Sequence, residues 1–176
     1  MKTLTTILGC ALLFILSSIG ARAQSIQTDY DRSFNLAKLR TYRFVEQTRP
    51  PGDPLAATPL NDRRIHNALD SQLQSQGFQQ SEQPDFYIAY YVTTRPGLDI
   101  EDNRISGPPW DRWGNIKVNQ VTEGTLMVMF LNPASLQEIW VGLVSGEINP
   151  KNLDRALNKS IAKMVQRFVK DQAAKK

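Results

Sequence analysis

The sequence predicts an α+β domain: a single mixed β-sheet of four to five strands with two helices on one face. Two apolar runs, two amphipathic stripes and the length of one connection carry that reading. The runs are Gly124 to Leu131 (Gly-Thr-Leu-Met-Val-Met-Phe-Leu) and Glu138 to Ser145 (Glu-Ile-Trp-Val-Gly-Leu-Val-Ser). Both are rich in β-branched, aromatic and long apolar residues and too short for a typical helix, so each reads as a strand. The link Asn132-Pro133-Ala134-Ser135-Leu136-Gln137 carries turn chemistry and a proline that a central ladder excludes. A hairpin centred there pairs Phe130 near Ile139, Val128 near Val141 and Leu126 near Leu143, because side chains alternate along a strand. Its other face then carries Thr125, Met127, Met129, Trp140 and Val144, and needs cover of its own.

The first residues belong to a different kind of segment. Lys2 gives a basic start, Ile7 to Ile19 is largely apolar, and Ala21-Arg22-Ala23 has the small–x–small pattern of a cleavage site. Residues 1–23 are therefore expected to be a signal peptide, with Gln24 as the mature N-terminus and residues 24–176 as one domain. The apolar core is shorter than the ~20 residues a membrane span needs, so no span is expected after cleavage. Ile7-Leu8-Gly9-Cys10 resembles a lipobox, but the apolar run continues past Cys10 through Leu16, where a cleavage site should already have ended it. A periplasmic or secreted protein is expected rather than an outer-membrane lipoprotein.

Cleavage takes Lys2 and Arg22, leaving 19 cations against 17 carboxylates, a net charge of +2. A pI of 9.3 for the whole chain overstates any case for nucleic acid. Cys10 is the only cysteine, so the mature chain has no disulfide framework, thiol nucleophile or thiolate metal site.

Taken in order, Tyr30-Asp31-Arg32-Ser33-Phe34-Asn35 is polar with two aromatic anchors, and Leu39 to Val45 alternates as a strand with Tyr42 and Phe44 on one face. Arg49-Pro50-Pro51-Gly52-Asp53-Pro54 breaks it as a stiff extended link. Thr58-Pro59 opens the first helix, with Ile65, Leu69 and Leu73 four apart on one face; Gly77 ends it and Phe78 takes the hydrophobic position of a Schellman cap. Phe86 to Val92 is a strand with aromatic residues on both faces, as a central strand has. A helix between it and the Leu39–Val45 strand implies a crossover and parallel pairing. Thr94 to Asn115 is the least regular stretch and reads as a long loop holding Trp110 and Trp113. Ile116 to Val121 reads as a further strand with a bulge near Gly124. Asn149-Pro150 caps a second helix whose stripe is Leu153, Leu157, Ile161, Met164, Val165 and Phe168; Lys151, Arg155, Lys159, Lys163 and Lys170 lie off it as a solvated face.

Chemistry is sparse. His66 is the sole histidine, without a local partner, and no Gly-x-Ser-x-Gly elbow supplies a nucleophile. Asp99, Glu101 and Asn103 alternate as a calcium loop begins, but the sixth position is Arg104 and the twelfth Trp110. No glycine-rich phosphate loop is present. No catalytic residue, metal site or cofactor is expected.

With these pieces in place the chain resembles the DUF4136 family of bacterial envelope proteins, many of them lipoproteins. Tyr30-Asp31 followed by Phe34, Thr41-Tyr42-Arg43-Phe44, Gly77-Phe78 and Pro84-Asp85-Phe86-Tyr87-Ile88 carry the resemblance, with Glu123-Gly124-Thr125-Leu126, Leu136-Gln137-Glu138-Ile139-Trp140-Val141-Gly142 and the closing amphipathic helix. The family has no established activity, so the resemblance implies a fold and an envelope location and transfers no catalytic residue.

The expected function is that of a non-catalytic binding or assembly module. Its partner would be an envelope protein or component, or a second copy of the chain, with no nucleic acid. An envelope hydrolase is the alternative: a deep polar cleft with paired carboxylates would favour it, and a flat apolar patch the binder. The candidate binding residues are Trp110, Trp113, Met127, Met129 and Trp140, since apolar sheet surface and loop aromatics are favoured anchors. The other reading, which does not exclude this one, is that Trp110 and Trp113 fold back over the Met127–Met129–Trp140 face as a lid.

Overall fold

In a computed structural model, residues 25–46, 53–102 and 116–174 are described. The expected leader, most of the proline-rich link and the loop segment with Trp110 and Trp113 lie outside them. Six strands form one mixed sheet: β1 (Ser25–Tyr30), β2 (Thr41–Phe44), β3 (Gln79–Gln80), β4 (Phe86–Asp102), β5 (Ile116–Leu131) and β6 (Glu138–Glu147), in the order β1-β6-β5-β4-β2-β3. Among the described residues three α-helices accompany it: a single turn α1 (Pro54–Ala57), then α2 (Pro59–Ser75) and α3 (Leu153–Ala173). The class is α+β as expected, but the sheet has six strands, not four to five. The two extra strands are polar edges. Ser-Ile-Gln-Thr-Asp-Tyr pairs antiparallel with β6, and Gln79-Gln80 runs parallel to β2. Neither carries the apolar signal of a central strand.

The α2 boundaries are written in the chain. Thr58 precedes Pro59 at the first helical position, although its hydroxyl makes no capping bond. At the other end Gly77 has φ +87°, and the amides of Gly77 and Phe78 donate to the carbonyls of Gln74 and Leu73 at 2.9 and 3.1 Å. That is the Schellman pair, and it delivers Phe78 into the core. The connection places β2 parallel to β4, Tyr42 opposite Phe86 and Phe44 opposite Ile88. The α3 helix begins three residues later than expected, because Asn149 makes a turn instead, its side chain accepting from the Lys151 amide at 3.0 Å. The five cations assigned to its outer face are all exposed.

The β5–β6 hairpin forms, with one change of register. Phe130 pairs with Trp140, Val128 with Gly142 and Leu126 with Val144, while Leu131 pairs with Glu138. Ile139 is thus a bulge residue, and a one-residue shift moves every following side chain to the other face. Trp140 therefore leaves the Met127–Met129 face and joins Leu126, Val128 and Phe130 beneath the helices, where it is 1% exposed. The bulge expected near Gly124 is absent: β5 pairs without interruption with β4 from Ile116 to Leu131. The stretch from Thr94 to Asp102, read from sequence as loop, is strand. It extends past the last β5–β6 pair, Glu123 with Glu147, as a two-stranded arm.

Candidate functional site

Most of the residues that carry the family resemblance build the scaffold at one end of the sheet, while Glu123-Gly124-Thr125-Leu126 lie at the other. Phe130 stacks on Trp140 with centroids 4.8 Å apart, and Phe86 and Phe168 each lie 4.7 Å from Phe130. The Trp140 indole donates to the Asp171 carboxylate at 2.9 Å, fixing the end of α3. Gln172, also buried, donates to the Leu36 carbonyl at 2.9 Å in the turn before β2. The Trp-x-Gly spacing has a direct cause: a Cβ on Gly142 would stand 2.5 Å from the Trp140 ring and 2.8 Å from Met164. Residues two apart share a strand face, so the glycine leaves room for ring and helix together.

Asp85 accepts the backbone amides of Arg40 and Thr41 at 2.8 and 2.9 Å and so fixes the start of β2 beside β4. Burial alone would raise its carboxyl, but these bonds and the Thr41 side chain outweigh burial and hold it below the usual carboxylate range. The Tyr42 hydroxyl donates to Asp70 at 2.6 Å. Burial first, then that carboxylate, push the phenol well above its ordinary value. On Asp70 burial again raises, yet hydrogen bonds from Tyr42, Gln80 and Gln74 win and lower it. These polar groups are partners in a fold rather than free acids and bases. His66 stacks on Phe44, centroids 3.9 Å apart. Among the described residues no group of three or more His, Cys, Asp or Glu could hold a metal.

Of the candidate binding residues, Met127 and Met129 share the face away from the helices, Met127 half-buried and Met129 8% exposed. Val141 and Leu143 are their cross-strand partners, and Tyr91, 40% exposed, stands opposite Met127 on β4. No described helix packs on this side. The structure does not bring Trp140 to it, and Trp110 and Trp113 are outside the described residues. The apolar patch is thus Met127, Met129, Val141, Leu143 and Tyr91. Val141 and Leu143 were misassigned because the bulge at Ile139 was illegible.

Sequence reasoning missed a second surface. Where α2 and α3 begin, they diverge from the sheet and leave a cleft of about 240 Å³. Ile65, Val92, Leu126, Val144 and Leu157 line its wall, and Thr94 and Gly124 form its floor where the arm departs. Glu147 is its only carboxylate among the described lining residues, so it is not the polar cleft that hydrolysis by paired acids requires. On the arm, Leu98 is 65% exposed and Arg95 pairs with Glu123 at 2.6 Å.

The described residues thus form a six-stranded mixed sheet with two long helices packed on one face. Residues 26–168 match DUF4136, a domain of unknown function, and the chain belongs to that family. Among solved structures it is similar to a PDZ domain protein from Parabacteroides distasonis, with 9% identity and a TM-score of 0.54. That match covers 90% of this chain and 39% of the other, so this chain spans about two fifths of its length. It is also similar to a DUF4136 family protein from Bacteroides thetaiotaomicron, with 12% identity and a TM-score of 0.48 over 84% of this chain and 96% of that one. A PelC dodecamer from Paraburkholderia phytofirmans gives 8% identity and a TM-score of 0.48, covering 83% and 97%. No curated protein matches the sequence. Among the described residues no helix is long and apolar enough to cross a membrane.

Proposed function

We propose that this chain is an exported, non-catalytic binding or assembly module of the bacterial envelope, and that it engages its partner through the sheet face opposite the helices. One observation carries the reading: that face gathers the half-buried Met127, Val141 and Leu143 and the exposed Tyr91 around a buried Met129, with no described helix over them. A contiguous apolar patch on a folded domain marks an interaction surface more often than a catalytic one. Flexible methionines suit a surface that adapts to its partner. Trp110 and Trp113, in the segment joining the arm's two strands, add aromatic anchors to this reading. The signal-like start, with cleavage before Gln24, supports export.

The test joins location to contact. Mass spectrometry of the protein recovered from envelope fractions should show an N-terminus at Gln24 without lipid; a species acylated at Cys10 would remove the soluble-export part. A photo-crosslinker at Met127 should capture a partner in cells, and a probe on the outer face of α3 at Lys163 should not. Replacing Trp110 and Trp113 with serine should weaken the Met127 adduct. Equal capture from both positions, or an unchanged adduct in the double variant, would retire the open face as the contact surface.

A further inference from the structure

The cleft and the arm stand at the same end of the molecule and on the same side of the sheet. Alternation places Val92, Thr94, Pro96 and Leu98 on one face of β4. The first two line the cleft, and the last is the most exposed large apolar side chain described. Four residues of strand, about 13 Å, separate Thr94 from Leu98, so a leucine cannot turn back into the hole of its own chain. A two-fold axis crossing the arm at Pro96 exchanges the two positions: it lays Leu98 of one copy over the Thr94 floor of the other, and the reverse. Such a contact is isologous and closes on itself.

Three further features fit a second copy as the occupant. The cleft, at about 240 Å³, is below the range of sites for whole small-molecule ligands and holds one or two apolar side chains. The sequence is complementary in charge: residues 95–102 and 116–123 contain four carboxylates and two cations and residues 59–64 and 150–155 four cations and two carboxylates, with Arg95–Glu123 and Arg64–Asp154 already paired within the chain. Lys151 and Arg155 are exposed there, and both helix N-termini add positive dipole ends. Finally, a two-stranded ribbon is marginal alone in water, and packing against another surface is what stabilises one.

We propose that two copies of this chain dock arm to cleft, each seating Leu98 in the apolar cleft between α2, α3 and the sheet of the other. This surface is separate from the open sheet face and does not depend on it. Sedimentation velocity on the purified protein should show a dimer at micromolar concentration. Leu98→Asp removes both knobs and should weaken the dimer about a hundredfold, since each copy loses one buried leucine. Thr94→Trp fills both holes from an exposed position and should do the same. An equimolar mixture of the two variants restores one knob in one open hole, and should associate more strongly than either variant alone. Circular dichroism confirms that each variant is folded. A monomeric wild type would overturn the proposal, whether the cleft is covered by the chain's own residues 103–115 or carries a lipid mass in native mass spectrometry. A dimer unaffected by Leu98→Asp but broken by Met127→Glu would also overturn it, and would assign self-association to the open face instead.

Discussion

At the end of the sheet where β5 turns into β6, ring lies on ring: Phe86, Phe130, Trp140 and Phe168 form a continuous aromatic plug joined by Tyr42 and Phe78. At the end where the helices start, aliphatic side chains line an unfilled cleft, and β4 and β5 run on past it without helix cover. Most of the residues by which the family is recognised gather at the first end, on Tyr42, Asp85, Phe86, Trp140 and Gly142, while Glu123-Gly124-Thr125-Leu126 lie at the second, where the last three line the cleft. The second end is where the chain leaves apolar surface unspent. Residues that identify a family can therefore do so because they hold the fold, and the search for function belongs where the packing stops.

The largest effect that would break this comparison is a cheap loss at the plug. Trp140→Ala removes a wholly buried ring and strands the Asp171 carboxylate, and should cost about 3–5 kcal/mol, read from the denaturant midpoint. A loss below 1 kcal/mol would mean that the plug is not the part holding the domain together.

A pair of glycines sharpens the contrast, because one sits at each end. An alanine Cβ at Gly142 meets the Trp140 ring and Met164 inside close packing, so Gly142→Ala should cost about 1–3 kcal/mol. At Gly124 the Cβ meets the Ile148 side chain, Cδ1 at 2.6 Å and Cγ1 at 2.9 Å, beside the cleft that this side chain lines and into which it can turn. Gly124→Ala should be the milder of the two by thermal melting, and the reverse order would locate the tight packing at the wrong end.

Legibility followed the same division. The ends of α2 were readable from Thr58-Pro59 and Gly77-Phe78 because a cap is a local device whose residues lie side by side in the chain. The β2–β4 pairing followed from the helix between them. The register of β6 was not readable, because the bulge at Ile139 is a tertiary accommodation: two neighbouring residues, Ile139 and Trp140, are both buried, which no period of two announces. The arm was hidden by Pro96-Gly97, which reads as a break, yet a two-stranded ribbon has free edges where a proline is tolerated. The β1 strand was hidden by its polarity. Alternation placed Met127 and Met129 together on the second sheet face, while Trp140 was placed there by the register error alone.

Titration offers a smaller effect, confined to the plug end. The Asp85 and Asp70 carboxyls are depressed in the fold, so their stabilisation is complete above the unfolded value near 4 and is lost as pH falls through the folded values. The Tyr42 phenol is raised, so its contribution is complete below about 10 and is lost as pH rises above that. Thermal midpoints should fall on both sides of a neutral plateau. Asp85→Asn should flatten the acid limb, and Tyr42→Phe the alkaline one. Unchanged limbs in both variants would show that these bonds carry no differential proton binding.

The smallest expected change is the one that isolates the arm. Leu98 is mostly solvated, sits four residues beyond the cleft floor, and has Gln120 as its cross-strand partner. Its truncation leaves no cavity and no unpaired group within the chain, so Leu98→Ser should shift monomer stability by no more than about 0.5 kcal/mol. The measurement is made in denaturant at a concentration low enough that self-association does not contribute, because a dimer contact would otherwise appear as folding stability. A loss comparable to that at Gly142 would mean that the arm packs on its own body, and the two ends would then differ in composition without differing in role.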